Sequence, residues 1–180
     1  MINSKDVVRQ FLLQVRSGLH PDRAGHFMAD RVRAHQVVSE APAVVERTPQ
    51  QYTEHVQEML DAYGPFTLTV DELIAEGDRV YARWTQNGRH VGPVDHHQPT
   101  GRQVTAMTSA VYRVEDGLIV EYWIQIDRQG ITAQLQQAVT EHRSRPKAGI
   151  ALVPAQDGRR TLRCEERVAI CRVCRLPGLL

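Results

Sequence analysis

Four consecutive β-rich runs between residues 66 and 127 restrict the fold of this chain more than any other feature. EGD (76–78) joins the first two runs and EDG (115–117) joins the last two, and both tripeptides are hairpin signals. A longer loop, VGPVDHHQPTG, lies between the two middle runs. The runs, which are rich in β-branched and aromatic residues and predict an antiparallel sheet, are FTLTVDELIA, RVYARWTQNGRH, RQVTAMTSAVYRV and LIVEYWIQID.

Helical patterns precede and follow these strands. SKDVVRQFLLQVRSG predicts a first helix capped by Ser4, and PDRAGHFMA predicts a short second helix. RVRAHQVV (31–38) alternates as a strand does. TPQQYTEHVQEMLDAYG is the clearest helix, because Thr48 and Gln51 form a capping box and Gly64 ends it. QGITAQLQQAV predicts a last helix after the sheet.

The resulting order is α-α-β-α-β-β-β-β-α, which is typical of the α+β class. Antiparallel strands that follow helices pack those helices on one face of a curved sheet. We therefore expect the helical stripe and the concave face of the sheet to enclose a pocket.

The charge distribution separates the body of the chain from its last forty residues. The 180 residues suffice for one domain with a core. Residues 1–140 hold 13 basic and 17 acidic side chains, a net charge of −4, whereas residues 141–180 hold nine and four, or +5. The body has no basic stripe that would neutralise phosphates, so we expect no nucleic-acid partner.

We find neither a signal peptide nor a membrane-spanning run and expect a cytoplasmic protein without a membrane partner.

The segment 141–180 loses the periodicity of the body and reads as a basic, poorly ordered tail. It contains all three cysteines, Cys164, Cys171 and Cys174. CRVC has the C-x-x-C spacing of a zinc site but no second paired motif, so incidental cysteines are the favoured interpretation. We expect two regions, a folded domain over 1–140 and this tail.

The order of elements, with four particular phrases, resembles the SnoaL-like polyketide cyclases, a family that includes ester cyclases, within the nuclear transport factor 2-like superfamily. The resemblance covers residues 3–138. Its phrases are FTLTVDELIAEGDRVYARWTQNGRHVG (66–92), PTGRQVT (99–105), YRVEDGLIVEYWIQID (112–127) and GITAQLQQ (130–137). It implies a cone-shaped α+β fold, in which a curved antiparallel sheet wraps around the N-terminal helices, and a homodimer formed through the outer face of the sheet.

The resemblance also implies chemistry. The family closes rings by intramolecular aldol condensation on hydrophobic substrates, without cofactor or metal, and an aspartate near the end of the last strand acts as the base. Asp127 stands at the matching position, and His35 falls where many members have a histidine in the first strand. Members often carry an acid directly after Trp123, where this chain has Ile124. A cofactor-independent cyclase, isomerase or lyase is therefore expected.

Asp127 has two interpretations from the residues alone. Strand alternation gives Trp123, Gln125 and Asp127 one face, and an apolar pocket there would raise the pKa of the carboxyl toward that of a useful base. Alternatively Asp127 caps the helix that begins near Gln129. The resemblance favours the pocket base, with His35 and Gln125 donating to the developing oxyanion.

Further residues are candidates for the substrate pocket. His55 lies on the apolar stripe of the clearest helix with Tyr52 and Met59, a stripe that is core by default but can line a pocket. The strand predictions add Trp84 and His90 to Trp123 and Gln125. His96 and His97 are adjacent, so their side chains diverge, and we expect no metal site. The loop around them is expected to be a lid over the pocket.

Two alternatives remain open. One is another enzyme of the same superfold, of the epoxide-hydrolase or steroid-isomerase type; the hydrolase would need an Asp-Arg-Asp cluster, whereas this sequence shows one internal aspartate. A non-catalytic module that binds a lipophilic ligand or dimerises would be favoured if Asp127 turned outward onto the helix N-terminus.

Overall fold

The computed structural model describes residues 3–94 and 96–144. The predicted tail falls almost wholly on residues 145–180, which lie outside the described residues. The predicted division into two regions is therefore untested. No helix of the described part is long and apolar enough to cross a membrane.

Residues 3–94 and 96–144 form three α-helices and six strands, and the fold is α+β as predicted. Helix α1 spans Ser4–Phe11 and continues as a wider π-helical turn over Leu12–Arg16, and a 3-10 helix follows at Pro21–His26. The other helices are α2, Pro49–Tyr63, and α3, Arg128–Ser144. The strands are β1 Met28–Gln36, β2 Ala43–Arg47, β3 Thr67–Glu76, β4 Arg79–Arg89, β5 Gln103–Glu115 and β6 Leu118–Ile126.

The strands form one sheet in the order β2-β1-β6-β5-β4-β3. All neighbours are antiparallel except β1 and β6, which pair parallel with His35 opposite Trp123. The β5–β6 hairpin closes at Asp116 and Gly117, which have φ angles of 49° and 79°. These positive angles are those that a tight hairpin turn requires, and they explain the Asp-Gly pair at this point.

Helix α2 begins and ends where the sequence predicted. The Thr48 side chain accepts a hydrogen bond from the Gln51 backbone N–H, and the Gln51 side chain accepts one from the Thr48 backbone. Gly64, with φ of 64°, ends the helix. Its buried face presents Tyr52, Val56 and Met59 to the sheet side of the molecule.

Two local predictions were wrong, and one strand was missed. Asn3 rather than Ser4 caps α1, because the Asn3 side chain accepts the Asp6 N–H at 2.8 Å. The second helix is a short 3-10 turn, and Met28 already belongs to β1. Strand β2 was not predicted, since it has only five residues, lies at the sheet edge and exposes alternate side chains.

Aromatic side chains join the helices to the concave face of the sheet. The Phe11 ring lies 5.1 Å from that of Tyr52 and 5.9 Å from that of Tyr112, and the Tyr112 and Tyr122 ring centroids are 5.9 Å apart. All four rings are buried. Burial of large aromatic surfaces is a dominant source of stability, so this cluster fixes the helices against one end of the sheet.

A second, smaller cluster contains Ala62, Val94, Val104 and Leu135. It joins the end of α2, the loop after β4 and helix α3. The loop is held there by the Val91 and Gly92 N–H groups, which both donate to the Ala62 carbonyl at 3.0 Å. Between the two clusters the helices and the sheet are not in full contact, which leaves space for a cavity.

Replacing Gly92 by alanine should destabilise the protein, because a Cβ built there lies 2.3 Å from the Asp61 carbonyl oxygen. We expect a loss of about 1–3 kcal/mol in the free energy of unfolding, the usual cost of overpacking, measured by urea denaturation. Gly25→Ala is the matched control, since the nearest atom to its added Cβ is 3.9 Å away. Equal stabilities of the two variants would contradict this close packing of the loop on α2.

Candidate functional site

The space between the helices and the concave face of the sheet is a cavity of about 500 Å³, here called the inner cavity. Helix α2 forms one wall, the sheet forms the opposite wall, and α3 and the loop after β4 border it. Its volume lies in the range of small-molecule sites. The lining residues that the chemistry below depends on are Arg16, Arg47, His55, Tyr122, Ile124 and Ile126.

Two arginines lie at one end of the inner cavity. Arg16 is only 5 % exposed, stacks over the Trp84 ring with 5.7 Å from its guanidinium carbon to the ring centre, and donates to the Met59 sulfur. The Nε atoms of Arg16 and Arg47 are buried and have no hydrogen-bond partner among the described residues. A buried guanidinium is costly unless it is paired, so this end of the cavity favours an anion.

His55 lies beside these arginines, partly buried on the inner side of α2. Burial, together with the positive charges of Arg16 and Arg47, lowers its pKa to about 3. Its ring meets that of Tyr52 edge to face at 6.1 Å. The imidazole is therefore neutral at physiological pH and can accept a hydrogen bond.

The phenol of Tyr122 also lines the inner cavity. Burial raises the pKa of Tyr122, although the charges of Arg47 and Arg16 act in the opposite direction. The Tyr122 hydroxyl therefore stays protonated and is available as a donor. Tyr122 lines the inner cavity, whereas Tyr52 lies behind it in the aromatic core.

The opposite part of the inner cavity is apolar. Ile124 and Ile126 project from β6, and Ile131 and Leu135 project from α3. Val94, in the loop after β4, borders the same space. The cavity lining thus combines arginines and a phenol with a set of branched aliphatic side chains.

The predicted residues of β6 and β1 lie on the other side of the sheet, here called the outer face. Side chains alternate along a strand, so Tyr122, Ile124 and Ile126 face the inner cavity and Trp123, Gln125 and Asp127 face outward. In β1, Gln36 lines the inner cavity. Trp123, Gln125 and Asp127 thus share one face, as predicted. That face is the outer one, so the prediction that they line the pocket was wrong.

His35 belongs to a polar cluster on the outer face. Its Nε2 lies 2.7 Å from a Glu121 carboxylate oxygen, and its ring stacks on Trp123 at 4.8 Å. Arg33 and Arg113 also reach Glu121, at 3.2 and 3.0 Å. Burial raises the pKa of Glu121, but its hydrogen bonds from His35 and Arg113 outweigh this effect and keep it below its usual value. His35 therefore links β1 to β6 through a hydrogen bond and a ring contact.

Asp127 occupies the start of α3. The Gly130 N–H donates to Asp127 Oδ1 at 2.8 Å, which is the capping arrangement that the sequence offered as the alternative to a pocket base. The side chain is exposed and borders a shallow outer depression of about 270 Å³ with Arg83, Ser109 and Gln125. Asp127 and His35 do not share the inner cavity, and a catalytic part for either stays a prediction.

The other predicted residues divide between core and cavity. His55 and Met59 line the inner cavity. Trp84 and His90 are fully buried outside it, and the His90 Nδ1 lies 3.2 Å from the Thr100 hydroxyl. His97 borders the cavity with Val94, which agrees with a loop that covers the pocket.

Arg16, Arg47 and Tyr122 were missed. Arg16 follows Leu12 by four residues and so continues the apolar stripe of α1, a position that indicates a buried charge. Tyr122 could have been assigned from strand alternation had the inward face of β6 been known. Arg47 offered no signal, because β2 itself was not recognised.

The depressed pKa of His55 should make the protein less stable in acid. Between pH 6.5 and about 3 the unfolded chain binds a proton at His55 that the folded chain does not. Stability is therefore full above pH 6.5 and should fall on acidification by at most about 1.4 kcal/mol per pH unit. Urea denaturation at pH 7, 5.5 and 4.5 measures this slope, which His55→Gln should flatten.

The exposed histidine His26 provides the control, since His26→Gln should keep the wild-type slope. An unchanged slope in His55→Gln would contradict the low pKa of His55.

Comparison with solved structures supports the assignment of the fold. A candidate polyketide cyclase from Acidithiobacillus ferrooxidans superposes with a TM-score of 0.67 at 22 % identity, over 76 % of this chain and 96 % of that one. IdmH of Streptomyces antibioticus, a candidate polyketide cyclase, gives 0.63 at 25 % identity over 74 % and 99 %. An epoxide hydrolase from M. tuberculosis described as LEH-like gives 0.56 at 17 % over 78 % and 94 %.

The curated proteins include no match to this sequence. The likenesses to solved structures below 25 % identity show a common fold and do not distinguish the cyclases from the hydrolase. The family model for SnoaL-like polyketide cyclase, in contrast, matches residues 6–135. The match extends from α1 into α3 and includes every strand of the sheet. The chain therefore belongs to the SnoaL-like polyketide cyclase family.

Proposed function

We propose that this protein binds a hydrophobic carbonyl compound of the polyketide type in the inner cavity and moves a proton at the carbon beside the carbonyl, as in aldol cyclisation or isomerisation. The observation that carries the proposal is the position of His55, a neutral imidazole that lines the same cavity as Tyr122 and the aliphatic side chains of β6. Such a group can take a proton from carbon without first losing one to solvent.

The neighbours of His55 suit the remaining steps. The protonated Tyr122 hydroxyl can donate to the oxyanion that forms when the proton leaves. The aliphatic side chains of Ile124 and Ile126 hold the apolar body of the substrate and exclude water. Negative charge on the bound substrate would oppose the field of the two arginines and so make His55 more basic.

Asp127 is the base that the family resemblance suggests. For this role the substrate would have to reach the outer depression, or the carboxylate would have to leave the Gly130 N–H. The two assignments differ in which side of the sheet binds the substrate. Matched substitutions can therefore separate them.

Proton exchange from C1 of 2-tetralone in deuterated buffer, followed by NMR, tests the proposal without knowledge of the natural substrate. The wild-type protein should accelerate exchange, and His55→Gln should lower the rate by about 100-fold or more, the usual contribution of a general base. Asp127→Asn should stay within about threefold, because asparagine still caps α3. The reverse pattern would assign the base to Asp127.

A non-catalytic pocket that binds a lipophilic ligand is the second candidate. It is favoured by one observation: the inward position after Trp123 is Ile124, so the acid often present there in relatives is replaced by an aliphatic side chain. Saturation of the protein by 2-tetralone without any acceleration of exchange would support this function and exclude the first.

The epoxide-hydrolase alternative finds less support. No aspartate is among the described residues that line the inner cavity. On the outer face, Arg83 pairs with Glu72 at 3.4 Å and lies 3.9 Å from Asp71. That group is exposed to solvent and is separated by the sheet from the inner cavity.

A further inference from the structure

We infer that Arg16 and Arg47 together bind a carboxylate of the substrate, so that the preferred ligand is an amphiphilic carboxylic acid with an apolar ring system. The inference rests on the proposed function in one respect, that the substrate occupies the inner cavity. It adds the chemical class of the ligand and assigns binding roles to Arg16 and Arg47, which were not among the residues predicted from the sequence.

The two guanidiniums converge on one region of the cavity. Both line it, although Arg16 comes from the turn after α1 and Arg47 from the end of β2. Both are close enough to influence the ionisation of Tyr52, His55 and Tyr122. Two cations that line one cavity can both donate hydrogen bonds to a single anion bound there.

Neither arginine is neutralised by an acid in the part of the chain that the structure describes. Their Nε atoms are buried without a hydrogen-bond partner. The contacts of Arg16 are with the Met59 sulfur, a weak acceptor, and with the Trp84 ring. These contacts cannot replace the lost hydration of a buried charge, whereas a carboxylate can accept several guanidinium hydrogen bonds at once.

The acids that border the cavity do not cancel this charge. Glu54 and Glu58 are both on α2 and line the cavity. Glu54 is exposed and accepts a hydrogen bond from the Gln50 side chain at 3.1 Å. Within the described residues neither glutamate comes within ion-pair distance of Arg16 or Arg47. A third arginine, Arg128, also borders the cavity, so the charged lining is positive overall.

The opposite end of the cavity determines the rest of the ligand. Ile124, Ile126, Ile131 and Leu135 form an apolar surface, with Arg128 as the charged lining residue nearest to it in the chain. A cavity of about 500 Å³ accommodates a ring system of two or three fused rings together with its head group. The carboxylate would lie among the arginines and the rings against the aliphatic wall.

Binding of this anion would also prepare His55 for proton transfer. In the empty cavity burial is the main cause of the lowered pKa of His55, and the two arginines add to it. A carboxylate between them offsets their field, so the pKa of His55 should rise when the ligand binds. Substrate binding and the basicity of His55 would thereby be coupled.

Two probes that differ in charge and in one methyl group test the inference with the full-length protein. They are anthracene-2-carboxylate and its methyl ester, and their dissociation constants are measured by fluorescence titration. The wild-type protein should bind the carboxylate at least about tenfold more tightly than the ester, as expected for charge-assisted hydrogen bonds in a buried site. The NMR resonance of His55, assigned with His55→Gln, should shift with either probe.

Substitutions of single arginines show which side chains cause the preference for the carboxylate over the ester. Arg16→Met and Arg47→Met should each reduce the preference for the carboxylate to below about threefold, and Arg47→Met decides the matter if Arg16→Met does not fold. Arg79→Met is the matched control, because Arg79 stacks on Trp123 at 4.8 Å on the outer face. It should retain the full preference.

Each remaining result has a defined meaning. Equal affinity of the wild type for both probes, or a preference that survives in Arg47→Met and in folded Arg16→Met, overturns the inference. If the ester still shifts the His55 resonance in that case, the cavity binds neutral ligands and the proposed function stands. Failure of both probes to shift that resonance overturns the inference, and the tetralone exchange then decides the proposed function separately.

Discussion

The parallel pairing of β1 with β6 is the interaction on which the rest of the structure depends. It joins a strand from the first quarter of the chain to the last strand of the sheet, with Arg33 opposite Glu121 and His35 opposite Trp123. Without this pair the sheet would end at β6, and β1 and β2 would have no place beside it. The curved surface that encloses α1 and α2 exists because this long-range contact forms.

The pairing is reinforced by a charge that is itself buried. Glu121 is 6 % exposed and is held by Arg33 and His35 from β1 and by Arg113 from β5. Removing one partner of a buried pair is costly because the other charge is left uncompensated. The cluster therefore fixes the register between three strands, and that register determines which side chains of β6 face inward.

The two faces of the sheet differ in how their charged side chains are paired. On the outer face, acids and bases pair with one another and stabilise the fold. In the inner cavity, Arg16 and Arg47 remain without an acidic partner among the described residues, and the imidazole of His55 is neutral. Unpaired buried charge next to a titratable group with a shifted pKa is typical of functional sites rather than of structural ones. The chemistry of this protein is therefore to be sought on the side of the sheet that faces the helices.

The sequence by itself determined the fold class, the helix α2 with its Thr48–Gln51 capping box, the Asp-Gly hairpin and the family. These features follow from local propensity and from the period of apolar residues, which neighbouring residues encode. It also determined that Trp123, Gln125 and Asp127 share a face. Only the tertiary structure decided that this face is the outer one, that Asp127 caps α3, and that Arg16 and Arg47 meet beside His55. Those outcomes depend on contacts between residues far apart in the chain, and alternation along a strand has the same period whichever face is buried.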